Sequence, residues 1–293
     1  MKMSISVIVL TCNEEKNIED CLRSVDGHVE DIFIVDSFST DKTLAIARKY
    51  TDLIYEHHFQ NYSAQRNWAQ DNLPIRNEWI FHLDADERAT PELLDSLSRI
   101  FSRSNIDADA FLVSRKTIFR NRWIRFGGHY PVYHLRIYRK NSGRCEDRLY
   151  DQHFISNGRI FWAKGDIINI ITPELKQWKA THKKWAHLEA EEYLLYKKGR
   201  NINTDFLARP IQKRKIRRYK LYYKMPLFIR PFLYFFYRYI IKLGFLDGKE
   251  GLVFHFMHGF WYRFIVDVEI FNTRRYRMRR CSAHCGRRKK CIS

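Results

Sequence analysis

The sequence lacks both glycine-rich phosphate signatures: neither G-x-G-x-x-G nor G-x-x-x-x-G-K-[ST] occurs in its 293 residues. A phosphate ligand would therefore not be cradled by a dinucleotide fingerprint or a P-loop, and a metal ion would have to offset its charge. Long uncharged apolar runs are missing too. Neither Pro226 to Leu246 nor the aromatic stretch Gly251 to Tyr262 holds eighteen uncharged residues in a row, so neither makes a convincing membrane span. The run Ile5 to Leu10 is too short for a secretory signal core, and a cytoplasmic protein is expected. Acidic residues are outnumbered, 33 Asp and Glu against 52 Lys and Arg, for a net charge of +19. Such a surplus asks for an anionic partner: a phosphorylated substrate, a membrane surface or nucleic acid. The six cysteines are scattered except for the last three, and a cytosolic chain would keep them reduced. Cys281, His284, Cys285 and Cys291 could surround zinc, but their spacing matches no familiar finger.

What is there is a chain with 45% hydrophobic residues, enough to bury a substantial core in one large domain or a domain plus appendage. Ile5 to Leu10, Asp31 to Val35, Leu53 to Tyr55 and Trp79 to Leu83 read as short buried strands. Helix-like segments, Glu15 to Val25, Thr40 to Tyr50 and Ser63 to Asp71, separate them. Strands alternating with single helices predict right-handed βαβ units and an α/β fold with a mainly parallel sheet. From Ala110 the pattern becomes alternating, in Ala110 to Ser114 and Tyr133 to Tyr138, which predicts antiparallel or mixed structure. Beyond Trp178 the chain reads as helical and basic. The expected organisation is a nucleotide-binding α/β half over 1–105, an acceptor-side half of the same domain over 106–175, and a helical basic and aromatic extension over 176–293.

The segment Trp79-Ile80-Phe81-His82-Leu83-Asp84-Ala85-Asp86-Glu87 delivers two carboxylates two residues apart at the end of an apolar strand. In extended backbone they would point the same way. Paired carboxylates without His or Cys suit a hard cation that also holds a diphosphate, which points to nucleotide-sugar chemistry. Thr90-Pro91-Glu92 just after them makes a helix start, with Thr as cap and Pro at the first position. Two further strands end in polar groups, Thr11-Cys12-Asn13-Glu14-Glu15 and Asp36-Ser37. Ligands of open α/β sheets lie beyond the carboxyl ends of the strands, so all three sets are expected around one crevice.

Basic residues gather late, in Lys213, Arg214, Lys215, Arg217, Arg218 and Lys220 and in nine Lys or Arg between Arg274 and Lys290. On one continuous helix Arg238, Lys242 and Lys249 would fall within about 40° of one another, opposite many aromatics. An interfacial amphipathic helix on an anionic membrane surface is the expectation, with Gly244 and Gly248 as candidate breaks.

Taken together, Ser6 to Glu15, Val35-Asp36-Ser37-Phe38-Ser39-Thr40-Asp41, Gln65-Arg66-Asn67 and Leu83 to Glu87 resemble, in order and spacing, the inverting nucleotide-diphospho-sugar glycosyltransferases of family 2, with the GT-A fold. The closer likeness is to bacterial lipopolysaccharide-core and surface-polysaccharide transferases, and Gly244-Phe245-Leu246-Asp247-Gly248 resembles a later motif of these relatives. The resemblance implies a nucleoside pocket lined by Thr11, Asn13, Glu15 and Asp36, with Asp36 near the base. It places Gln65 and Asn67 close to the nucleotide and donor sugar, Asp84 by the ribose and metal, and Asp86 on Mg²⁺ or Mn²⁺ across the diphosphate. Uridine is the favoured nucleoside.

Inverting transfer also needs a general base for the acceptor hydroxyl. The relatives often use a His-Glu pair, which Cys145 to His153 lacks; Asp151 holds the best matching position, with Glu146 and Asp147 as alternatives. Arg136 and Arg139 read as solvated strand residues outside the site. The resulting expectation is a sugar transferase at the inner face of the cytoplasmic membrane, taking a nucleotide-sugar donor and a glycan or lipid-linked acceptor. Two other classes compete: a nucleic-acid-binding protein, which no known signature supports, and an inactive membrane-associated scaffold, which the intact Asp84 and Asp86 argue against.

Overall fold

A computed structural model describes residues 2–171, 175–200 and 204–289, with side chains other than those of 175–177 and 276–289. The cysteine and histidine group at 281–291 lies outside the described side chains.

Four parallel strands form the first half of the sheet: β1 (Met3–Thr11), β2 (Val29–Asp36), β3 (Ile54–Glu56) and β4 (Trp79–Asp84). Helices α1 (Ile18–Arg23), α2 (Thr43–Ala47) and α3 (Tyr62–Asn72) connect them. β1 takes the centre of this group because Ile5, Val7, Ile8 and Val9 are fully buried, covered on both faces. Burial of each such side chain contributes about 1.5–3 kcal/mol. α1 and α2 start later than periodicity predicts. The backbone of Glu14 and Glu15 donates to Thr43 and Asp41 instead of entering a helix, so these residues tie two loops together.

After β4 come β5 (Glu87–Ala89) and α4 (Pro91–Phe101), which starts as expected: Thr90 Oγ1 accepts from Leu93 N at 3.3 Å and Pro91 opens the helix. Residues 110–171 supply β6 (Ala110–Phe119), β7 (Arg122–Ile124), β8 (Val132–Arg139), β9 (Gly143–Cys145), β10 (Phe154–Ser156) and β11 (Ile160–Ile171). These strands extend the same sheet, in the order β3-β2-β1-β4-β8-β6-β11-β5 with β7 on β6, while β9 and β10 pair separately. β8 runs antiparallel to both β4 and β6, as the alternating pattern predicts.

The remainder is helical: α5 (Leu175–Lys197), α6 (Arg209–Lys220), α7 (Ile229–Phe236), α8 (Gly248–His255) and α9 (Tyr262–Lys289). The expected continuous amphipathic helix does not form. A π-helical turn, Tyr237–Ile241, extends α7, then Leu243 enters the left-handed region at φ 58° and a short 3-10 turn, Gly244–Asp247, reverses the chain. Lys249 therefore sits on a different helix from Arg238. Arg238 is not a solvated cation either: its Nε donates to Gly127 O at 2.7 Å and its Nη2 lies 3.2 Å from His129 Nδ1. The earlier basic cluster is also half internal. On α6, Arg214, Lys215 and Arg218 turn inward to His153, Glu146 and Asp151, leaving Lys213, Arg217 and Lys220 exposed.

Candidate active site

Register brings the three polar strand ends to one level: Thr11 lies opposite Asp36, and Leu10 opposite Asp84. The loops beyond them are knitted by side chains. Asn13, at φ 56°, accepts from Thr40 N through Oδ1 at 2.8 Å, and its own N–H donates to Ser39 Oγ at 2.8 Å. Asp36 is fully buried and accepts from Ser39 N at 2.7 Å, while Glu15 Oε2 accepts from Lys42 N at 3.2 Å. Asn13, Glu15 and Asp36 thus shape the crevice wall by holding the first two loops together. Thr11 Oγ1 differs: it is buried and has no hydrogen-bond partner among the described residues.

Asp84 and Asp86 do not extend along one strand. β4 ends at Asp84, and Ala85 and Asp86 form a turn into β5, so the two carboxylates meet different neighbours. Asp84 is clamped by two arginines, Arg66 Nη2 at 2.9 Å from Oδ1 and Arg136 Nη2 at 3.0 Å from Oδ2. Burial alone would push its pKa up, but Arg136 and Arg66 hold it far below the usual carboxylate range. Arg136 also pairs with the buried Glu87 at 2.7 Å. The reading of Arg136 as a solvated strand residue is corrected: it is 5% exposed and lies at the centre of the site. Its place between buried Leu135 and Ile137, beside a strand ending in acid, was the available signal. Arg139 does lie elsewhere, on Glu78 and the carbonyls of Ile106 and Ala108.

Asp86 has no ion pair among the described residues; Asn169 Nδ2 of β11 donates to its Oδ2 at 2.9 Å. Burial, then Glu87, Asp84 and Glu14, raise its pKa to about 7. An anion at this position is short of positive charge. Arg66 Nε and Arg136 Nη1 are likewise buried with no hydrogen-bond partner among the described residues. Among the described residues no group of three or more His, Cys, Asp or Glu could hold a metal alone. The donor set fits instead a cation that takes one or two carboxylate oxygens and completes its shell with phosphate oxygens and water, as Mg²⁺ does in phosphate sites.

Three consecutive residues of α3 fan out at about 100° steps. Gln65 Nε2 donates to Ser37 Oγ at 3.2 Å and His57 O at 3.1 Å, Arg66 reaches Asp84, and Asn67 pairs with both backbone groups of Cys145 at 3.1 Å. Gln65 and Asn67 therefore meet different walls. Asn67, with Ser63 on Glu146 O, secures the 145–153 loop against α3.

That loop holds the three candidate bases in different settings. Glu146 is buried with Lys215 and accepts from His153 N at 3.0 Å. Asp147 is exposed and faces a cavity of about 310 Å³ shared with Glu192, Tyr196 and Tyr219, none of them a crevice residue. Asp151, at φ 57°, accepts from Arg218 Nη1 at 2.7 Å through Oδ2, and its Oδ1 lies 3.9 Å from His153 Nε2. Burial works against its charge, but Arg218, His153, Arg214 and Arg148 hold its pKa well below the usual range.

The family model for glycosyl transferase family 2 matches residues 6–172, more than half of the chain, and spans the whole sheet. The chain belongs to glycosyl transferase family 2. This family 2 protein is 25% identical over 267 residues to the lipopolysaccharide core biosynthesis glycosyltransferase LpsC of Rhizobium meliloti, covering 87% of this chain and 90% of LpsC. An uncharacterized glycosyltransferase of Rickettsia bellii is 35% identical over 103 residues, 35% of this chain and 34% of the relative. The chain thus spans about a third of the rickettsial relatives' length. Among solved structures, the mannosyltransferase PcManGT from Pyrobaculum calidifontis, in complex with GDP-Man and Mn²⁺, aligns with a TM-score of 0.50 at 13% identity, over 92% of this chain and 88% of that one. That likeness is one of fold, the GT-A arrangement.

Proposed function

We propose that this family 2 protein is an inverting glycosyltransferase that moves a sugar from a nucleotide-diphospho-sugar to a lipid-linked or lipopolysaccharide-type acceptor at the inner face of the cytoplasmic membrane. One observation carries the reading. Around the level ends of β1, β2 and β4 are a carboxylate with no ion pair among the described residues, Asp86, and buried polar atoms with no hydrogen-bond partner among them, Thr11 Oγ1, Arg66 Nε and Arg136 Nη1. Buried groups left this way in a crevice suit a polar ligand that completes their bonds.

In this reading Asp86 is the carboxylate that meets Mg²⁺ or Mn²⁺, and Asp84, held by Arg66 and Arg136, stands nearer the ribose. The bound metal supplies Lewis-acid neutralisation of the departing nucleoside diphosphate. Thr11, Asn13, Glu15 and Asp36 line the nucleoside end, with Gln65 fixing the wall behind Ser37 and Asn67 fixing the acceptor loop. Asp151 accepts the proton of the acceptor hydroxyl: its Oδ1 makes no close hydrogen bond among the described residues, whereas Glu146 is locked to Lys215 and Asp147 faces another cavity. Arg218 orients that carboxylate. The likeness to LpsC over most of both chains supports a lipopolysaccharide-type acceptor, and the Mn²⁺ complex of PcManGT supports a divalent metal. Uridine is the first nucleoside to test.

The test is release of nucleoside diphosphate from a panel of UDP-, GDP- and dTDP-sugars with Mn²⁺ and a membrane-lipid extract as acceptor. Release that requires extract supports the reading; no release with any donor in the presence of extract counts against it.

A further inference from the structure

We propose that the hairpin formed by α7, its π-turn and α8 docks on an anionic lipid bilayer, with its outer apolar stripe entering the boundary between headgroups and acyl chains. The proposal rests on the membrane-side reading above and gives it a surface. Along Ile229 to Ile241, Ile229, Phe232, Leu233, Phe236, Ile240 and Ile241 recur at helical spacing and are each 42–58% exposed. This face is about 18 Å long at 1.5 Å per residue.

The opposite face is polar and points inward. Arg230 is fully buried, its Nε donating to Asp267 Oδ1 at 2.8 Å, and its guanidinium lies over the rings of Tyr193, Tyr222 and Tyr223. Tyr234 and Arg238 follow at intervals of four, Arg238 reaching Gly127 O and His129. A surface helix in water turns its apolar side to the core and its charges to solvent. Here the sense is reversed. The stripe continues through Leu243, Phe245 and Leu246 at the reversal and Leu252 and Phe256 beyond it, all exposed. A patch of this extent is far beyond scattered surface hydrophobics and marks an interaction site.

Charge decides the occupant. Exposed Lys242 sits within the stripe, and Lys249, 92% exposed, lies between Leu246 and Leu252. A second copy docked through this face would bring Lys242 and Lys249 against like charges, whereas anionic lipid complements them. No described helix is long and apolar enough to cross a membrane, which fits a hairpin lying in the interface rather than spanning it.

The hairpin's inner side is hydrogen-bonded to the acceptor half. Gly127 N donates to Lys242 O at 2.9 Å, and Asp247 Oδ1 accepts from Arg125 N at 3.0 Å. A docked hairpin therefore holds the 122–131 loop of the acceptor half close to the bilayer.

The test is flotation of the full chain with vesicles of phosphatidylethanolamine and phosphatidylglycerol, beside phosphatidylcholine vesicles. Wild type is expected to float with the anionic vesicles and less with the neutral ones. Phe232→Ser, Phe236→Ser and Ile240→Ser combined should weaken partitioning at least about tenfold; the three side chains are only about half exposed and Phe232 meets Phe260 at a ring-centroid distance of 4.6 Å, so a modest fall in melting temperature accompanies it. Lys242→Glu with Lys249→Glu should weaken it too and decides the matter should the triple variant misfold. A folded triple variant floating like wild type, or a lipid-free wild type sedimenting as a dimer that the triple variant abolishes, would overturn the proposal. Nucleotide binding in the same samples separates the two readings: lost flotation with intact nucleotide binding defeats docking alone, and absent nucleotide binding with intact flotation defeats the transferase reading alone.

Discussion

Asp86 is the residue on which most of the proposed chemistry turns, because it is a carboxylate kept short of positive charge. Its pKa in the fold, about 7, lies above the ordinary 3.8, so between these values the folded chain holds a proton that the unfolded chain lacks. Stability then falls as pH rises through that window, and the whole cost is present above pH 7. Asp86→Asn should therefore melt higher than wild type at pH 8 in chelator, by about 1–3 kcal/mol, with the difference gone at pH 4. Equal melting of the two proteins at both pH values would contradict this account of the site. Arg136 works in the opposite sense. Arg136→Met leaves buried Glu87 without its ion pair and Asp84 with Arg66 alone, and should cost about 3–5 kcal/mol by denaturant unfolding, far more than a solvated arginine would. The carboxylate pair was visible from its own spacing, but Arg66 and Arg136 were not, because their partners lie 18 and 49 or more positions away in sequence.

Elements show a similar division. Buried runs and polar strand ends located β1, β2 and β4 to within two residues at each end, since strands covered on both faces leave a continuous apolar signal. Gln65 and Asn67 were expected close to the nucleotide and donor sugar; helical geometry turns Gln65 toward Ser37 and His57, Arg66 toward Asp84 and Asn67 toward Cys145. The Gly244 to Gly248 motif now has a physical role: Asp247, 2% exposed, accepts from Arg125 N and Phe126 N and fastens the hairpin to the acceptor half. Asp247→Ala should cost about 3 kcal/mol by leaving those donors unpaired. Gly127→Ala should loosen the same joint, because φ is +68° and a Cβ would lie 2.1 Å from the His255 ring. Both are measured as lost protection from amide exchange in 122–131. The helical region should also be acid-sensitive. Burial depresses His182 to about 4, with Arg263 adding to it against the hydrogen bond that Nδ1 donates to Trp178 O, and His258 lies well below its usual value. Unfolded histidine binds protons first, so stability present above pH 6.5 is lost as pH falls through about 4, by about 3 kcal/mol for His182. A helical melting temperature that stays flat from pH 7 to 4 would contradict it.

For the whole molecule, the lesson lies in the sign of amphipathicity. A 100° periodicity reveals that a helix has an apolar and a polar face, but not which of them the rest of the chain covers. The aromatic segment after Pro226 was thus recognisable as amphipathic while its orientation was not: Arg230 and Arg238 are inside, and the phenylalanines outside. Net charge misleads similarly, since Arg214, Lys215 and Arg218 are spent on internal partners. What remains is a GT-A sheet whose crevice opens beyond β1, β2 and β4 and whose second half is joined to an outward-facing apolar hairpin. The most direct test is calorimetric titration with UDP and GDP in Mn²⁺, in Mg²⁺ and in chelator, for wild type beside Asp86→Asn. The account predicts that wild type binds a nucleoside diphosphate only with metal and that Asp86→Asn weakens binding at least about tenfold, the scale of one lost charged ligand. Folded wild type that binds neither nucleotide, or binds one equally well in chelator and in the variant, would contradict it.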